Sequence, residues 1–278
     1  MSATLVLFVI AAACGAVVGL ALGLTGGGGS IFAVPLLIYV LALPPQEAMP
    51  VSLAAVALTA AVGAVQALRN GLALWRPAIL FAAGGVTGAP LGLAAGANVE
   101  PRLLVAGFGM LALAVGAMMW RRARVAPAET EALRARTYDV GSGAVCVLVP
   151  EGELRFTAPC AVALAFAGLG TGFLSGLFGV GGGFLIVPAL VLVTRMGIHR
   201  AVATSLVIIA AIGLAGAATA FWQGRIDWAV LVPFVAGGAV AMLAGRLLAE
   251  RLAGARLQQL FSLVIVVVGA TMLLHGLT

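Results

Sequence analysis

Two glycine runs carry the strongest chemical signal in this sequence: Thr25-Gly26-Gly27-Gly28-Gly29-Ser30 and Gly179-Val180-Gly181-Gly182-Gly183. Each glycine weakens a helix by about 1 kcal/mol, so each run predicts a stretch of unwound backbone. Unwinding frees N–H groups, and the helix that follows begins with its positive dipole end. Such a cluster of donors can hold an anion without any charged side chain. A second reading is open, in which glycines only let helices approach closely. Gly19 with Gly23, and Gly172 with Gly176, fit that second reading well. The uninterrupted runs are expected to contact a small anionic substrate, from Thr25 through Ser30 and from Gly179 through Gly183.

Ser52 and Thr204-Ser205 are the hydroxyls that join these runs as candidate substrate contacts. A Ser or Thr inside a helix usually bonds its own backbone one turn back, and that alternative stays open for all three. Other chemistry finds little support. A phosphate-binding Walker loop needs a lysine, and the chain has none. Cys14, Cys146 and Cys160 are scattered, with no CxxC spacing, and read as small buried hydrophobes rather than a disulfide framework or zinc site. An intramembrane hydrolase would need Ser175 or Ser205 within reach of a histidine. His199 and Ser205 fall on different helix faces, and no GxSxG occurs. Glu47, Glu100 and Asp227 lie between apolar segments, so no buried carboxylate marks a proton relay. The sequence calls for no metal and no cofactor.

The elements around these residues must lie in lipid. Of 278 residues 63% are hydrophobic and only 9% charged, with a mean hydropathy of +1.20. A water-facing surface needs roughly a quarter to a third charged residues, so a soluble domain is excluded. All 15 basic residues are arginine and sit mostly between apolar runs. Their placement suits topology and lipid headgroups better than nucleic acid.

The chain also repeats. Gly19 through Gly29 matches Gly172 through Gly182 at an offset of 153, which also pairs Pro35 with Pro188, Ser52 with Ser205 and Trp75 with Trp228. Thirteen of the 35 positions from 19 to 53 equal their partners, too many for biased composition alone. The expected fold is therefore an all-α polytopic membrane protein with two inverted-topology repeats, residues 1–120 and 158–278, joined by a linker over 121–157. Each repeat has five hydrophobic segments: 3–24, 30–43, 48–68, 76–97 and 102–120, then 158–178, 183–196, 201–221, 228–249 and 257–275. The second of each is short, about 14 residues or roughly 21 Å against a hydrocarbon core of about 30 Å. Either a crossing or a re-entrant segment fits that length.

If every segment crosses, thirteen arginines fall on the linker side and two, Arg102 and Arg225, on the other. Positive-inside then makes the linker cytoplasmic and both termini external, in a multi-pass inner-membrane protein. Within the linker, 144–149 and 153–157 flank Pro150-Glu-Gly152 and suggest a short β-hairpin, with an irregular loop as the alternative. Trp75 and Trp228 begin the fourth segments as interface anchors.

The motif Gly26-Gly-Gly-Gly-Ser-Ile-Phe-Ala-Val-Pro35, with its twin Gly179-Val-Gly-Gly-Gly-Phe-Leu-Ile-Val-Pro188, resembles the TauE/SafE family of sulfite exporters. The likeness covers residues 16–120 and 169–273. It implies a permease that carries sulfite, organosulfonates or related small sulfur oxyanions, usually outward, with Thr25 to Ser30 and Gly179 to Gly183 lining the path. Substrate choice varies within the family, so a permease for another small solute is the second expectation. The arginine-rich linker is not part of the motif.

Overall fold

The computed structural model describes residues 3–125, 147–148, 154–155, 158–194, 196, 198–252 and 255–277. The first half holds α1 (Ala3–Thr25), a 3-10 helix (Gly28–Phe32), α2 (Ala33–Tyr39), α3 (Pro45–Arg69), α4 (Trp75–Ala97) and α5 (Pro101–Val125). The second holds α6 (Ala158–Phe178), α7 (Gly183–Thr194), α8 (Ile198–Trp222), α9 (Trp228–Leu252) and α10 (Ala255–Leu277). Between the halves, β1 (Val147–Leu148) pairs antiparallel with β2 (Leu154–Arg155), at the place of the expected hairpin. Arg134 and Arg136 lie outside the described residues.

Among the described residues, seven helices are long and apolar enough to cross a membrane. Two of them form the centre. Of their most apolar stretches, 78% in α3 and 67% in α8 is buried, against 33–39% in the other spanning helices. These two antiparallel helices meet where Leu53 lies by Gly216 and Ala57 by Gly213. The outer helices turn Phe8, Val9, Phe166, Val240 and Leu247 outward, as a lipid-facing surface requires.

Helix pairing follows the 153-residue offset contact by contact. In the parallel pair α1 and α9, Gly15, Gly19 and Gly23 lie on the backbones of Phe234, Gly238 and Met242. In the parallel pair α4 and α6, Gly168, Gly172 and Gly176 lie on the backbones of Phe81, Gly85 and Ala89. Each contact is the other's counterpart. These stripes of small residues at every fourth position bring main chains together where a methyl group would not fit. Helices α5 and α10 form a separate antiparallel pair, with Gly109 beside Leu273 and Gly116 beside Ser262.

The short second segments differ between the halves. Ser30 donates both its N–H and its hydroxyl to the Gly27 carbonyl, and these three-residue steps wind Gly28–Phe32 as a 3-10 helix before α2. The equivalent of Ser30 is Gly183, which has no hydroxyl, and there α7 runs unbroken for 12 residues. At about 1.5 Å per residue α7 extends roughly 18 Å, short of a full crossing.

The cysteines need one correction. Cys14 is buried and free, as a small hydrophobe should be. Cys160 is buried but disulfide-bonded. Scattered spacing does not prevent a pair; Cys146 lies outside the described residues.

Candidate functional site

The hydroxyls of the first glycine run are satisfied internally, while the N–H groups of Gly27, Gly28 and Gly29 have no backbone acceptor among the described residues, as at any helix start. Gly26 takes a left-handed φ of 71° as α1 ends, and its N–H donates to the Leu22 carbonyl. Thr25 donates its hydroxyl to the Ala21 carbonyl at 2.7 Å, and Ser30 to Gly27 at 2.9 Å. Ser205, reaching across from α8, lies 2.9 Å from the Gly26 carbonyl oxygen and 2.8 Å from that of Val202. Every hydroxyl around this turn therefore has an acceptor.

The second run is built differently. Gly179, Gly181 and Gly182 all take left-handed φ values of 67–69°. Leu185 and Ile186 both donate their N–H to the Gly182 carbonyl at 2.9 Å. The N–H groups of Gly183 and Phe184, which open α7, have no backbone acceptor among the described residues, as the first turn of any helix dictates. Beside them are two hydroxyls without hydrogen-bond partners, Ser52 and Ser175. Both are fully enclosed, at 0% and 1% exposure. Gly182 packs on Ser175: a Cβ on that glycine would stand 3.2 Å from the serine Cβ. Helix α3 turns Met49 onto Gly179 and Val56 onto Gly181, so the face that carries Ser52 between them is the one covering the run.

The structure brings the two runs into contact. A Cβ on Gly27 would lie 2.5 Å from the Gly183 carbonyl oxygen, and one on Gly183 would lie 2.6 Å from that of Gly27. It does not bring Ser52 and Ser205 together. With α3 and α8 antiparallel and Leu53 level with Gly216, the two serines stand about a dozen residues apart along the pair, roughly 18 Å. Each instead faces the turn of the opposite repeat. Thr204 accepts the Leu74 N–H on its hydroxyl at 3.0 Å where α4 begins.

Two residues are not marked as substrate-path residues by the sequence. Ser175 aligns with Leu22, so the repeat gives no hint of it. Arg246, one of the thirteen arginines on the linker side, is half-buried, and its guanidinium donates to the Gly63 carbonyl of α3 at 3.0 Å. That places one cation against α3 within the bundle, on a residue whose backbone packs on Gly23 of α1. Its own counterpart is Leu93.

The whole-chain likeness now decides the family. The description "Sulfite exporter TauE/SafE" matches residues 11–272. This chain belongs to the TauE/SafE family. A "Probable membrane transporter protein" of Xylella fastidiosa (strain 9a5c) is similar, 34% identical over 257 residues that cover 91% of this chain and 90% of the relative. The "Probable membrane transporter protein YunE" of Bacillus subtilis (strain 168) is 24% identical, covering 97% and 98%. No solved structure matches. This TauE/SafE protein is thus a multi-pass membrane transporter and not an enzyme. The hydrolase alternative falls with that, and the one candidate serine with defined partners, Ser205, bonds carbonyls rather than a histidine.

Proposed function

We propose that the protein carries a small sulfur oxyanion, sulfite or an organosulfonate, outward across the inner membrane. Two inverted repeats alternate access to a site near the bilayer midplane, where the glycine runs 25–30 and 179–183 line the path. The termini lie outside and the linker in the cytoplasm, by the arginine distribution. The observation that carries this reading is the cluster of donors without acceptors at the second run, deep in an apolar bundle. A buried donor without a partner costs about 1–3 kcal/mol, and an oxyanion supplies acceptors to several at once. Among the described residues no His/Cys/Asp/Glu group gathers to hold a cation instead. Arg246, inside the bundle on the linker side, adds an attractive potential for anions arriving from the cytoplasm.

The test is an anion panel against the detergent-solubilised protein. A ligand that binds only the folded state raises its melting temperature. Sulfite and ethanesulfonate are expected to raise it, and sodium, potassium and neutral sugars to leave it unchanged. Stabilisation by a cation or a sugar, with none by any oxyanion, would replace this reading with a permease for another solute.

A further inference from the structure

We infer that the anion is held on one side of the contact between the repeats: the hydroxyls of Ser175 and Ser52 and the N–H groups of Gly183 and Phe184 grip it, while the first glycine run is latched against it. This rests on the anion-transport reading above and adds to it a residue and an asymmetry.

The two turns are equivalent in sequence and both open with free N–H groups, but their hydroxyls differ. Around the first, Thr25, Ser30 and Ser205 each donate to a carbonyl. Around the second, Ser52 is the counterpart of Ser205 and has no partner, although Gly179 is the counterpart of Gly26. Ser175 adds a second unpartnered hydroxyl where the first half has only Leu22. Both hydroxyls are more than nine-tenths buried; Ser175 packs its Cβ on Gly182, and Ser52 lies between Met49 and Val56 on the α3 face that covers the turn opening α7, a helix of 12 residues. A serine inside a helix can usually bond the carbonyl one turn back, as Thr171 does with Ala167 at 2.8 Å one turn earlier on α6. Ser175 makes no such bond, and its Cβ packs against Gly182. Hydroxyls and N–H groups that converge without an acceptor fit an oxygen-rich anion, each donor taking one lone pair of the same ligand. The left-handed glycines at 181 and 182 keep side chains out of that approach.

The asymmetry gives the inference its own test, with sulfite as the probe and the full-length protein in detergent. The melting temperature is measured without ligand and across a sulfite titration for the parent, Ser175→Ala, Ser52→Ala and Ser205→Ala. Removing a buried hydroxyl that has no partner leaves the ligand-free protein at least as stable, so Ser175→Ala and Ser52→Ala should melt no lower than the parent. Their sulfite dissociation constants should rise about tenfold or more, the loss of one hydrogen bond to a charged group. For Ser205→Ala the order reverses, with a lower melting temperature and a change in affinity of less than about threefold. Equal affinity losses at Ser52 and Ser205, with Ser175→Ala silent, would overturn the one-sided seat and leave the transport reading standing. So would a lower ligand-free melting temperature in Ser175→Ala at unchanged affinity. A parent that no oxyanion stabilises overturns both.

Discussion

Gly27 and Gly183 touch through bare backbone, each lying where a side chain on the other would meet a carbonyl oxygen at 2.5–2.6 Å. The two repeats meet there without any side chain between them. The contact joins turns whose hydroxyls are bonded around the first and without partners around the second, so the halves are alike in sequence and differ in hydrogen bonding.

Alanine at either glycine must push the turns apart. Overpacking of this kind costs about 1–3 kcal/mol. We expect Gly27→Ala and Gly183→Ala to lower the melting temperature of the purified protein, and to lower transport per folded molecule as well. Normal transport by both would show that the contact is incidental.

Gly28 and Gly181 are repeat partners but should not respond alike. Gly181 has a φ of 69° and a built Cβ 2.6 Å from Val56 Cγ1, so Gly181→Ala adds about 1–2 kcal/mol of backbone strain to a clash. Gly28 lies in the 3-10 helix, where a Cβ would meet Thr25 Oγ1 at 3.1 Å. A small shift of that side chain relieves the contact. Quantifying folded protein by size-exclusion fluorescence should give near-parental yield for Gly28→Ala and a clear loss for Gly181→Ala. Equal yields would contradict the difference between the turns.

Much of this was legible because the repeat can be read twice. The pairs Gly19 with Gly23 and Gly172 with Gly176 each predict a close helix contact, and each finds it on the counterpart helix, where Gly15 and Gly168 extend it. The broken second segments were legible from Gly26 to Pro35 and Gly179 to Pro188. What the repeat hid were the features present in one half only. Ser175 and Arg246 align with Leu22 and Leu93, so no twin marks them. The different winding of the two turns follows from single exchanges, Ser30 for Gly183 and Gly27 for Val180, whose effect depends on which carbonyl lies within reach. Thr204 reads as a site residue by sequence, and its hydroxyl accepts the Leu74 N–H at the start of α4.

Arg246 offers a separate check. Its guanidinium holds the Gly63 carbonyl, and Arg246→Met keeps the stem but leaves that carbonyl without its charged donor. The expected cost is about 1–3 kcal/mol of stability, with a slower rate of anion capture from the linker side. Initial rates measured at several ionic strengths report the second effect, because long-range attraction is screened by salt. An unchanged salt dependence would remove Arg246 from the path.

Cys160 sets two topology signals against each other. Disulfides persist in oxidising compartments, whereas the arginines of the neighbouring linker belong in the cytoplasm. We expect the arginines to prevail, so Cys160 should be reduced in living cells and form its disulfide only after lysis in air. Acid quenching followed by mass-tag alkylation reads this directly. A Cys160 already oxidised at the moment of quenching would put the linker outside and invert the orientation.

The most direct measurement is flux. Purified protein reconstituted into sealed liposomes and loaded with radiolabelled sulfite should release it faster than protein-free vesicles do. External ethanesulfonate should compete for the outward-facing site and alter that rate. Sulfite release equal to that of protein-free vesicles, from a preparation shown to be folded, would contradict the assignment of this chain as a carrier of small sulfur oxyanions.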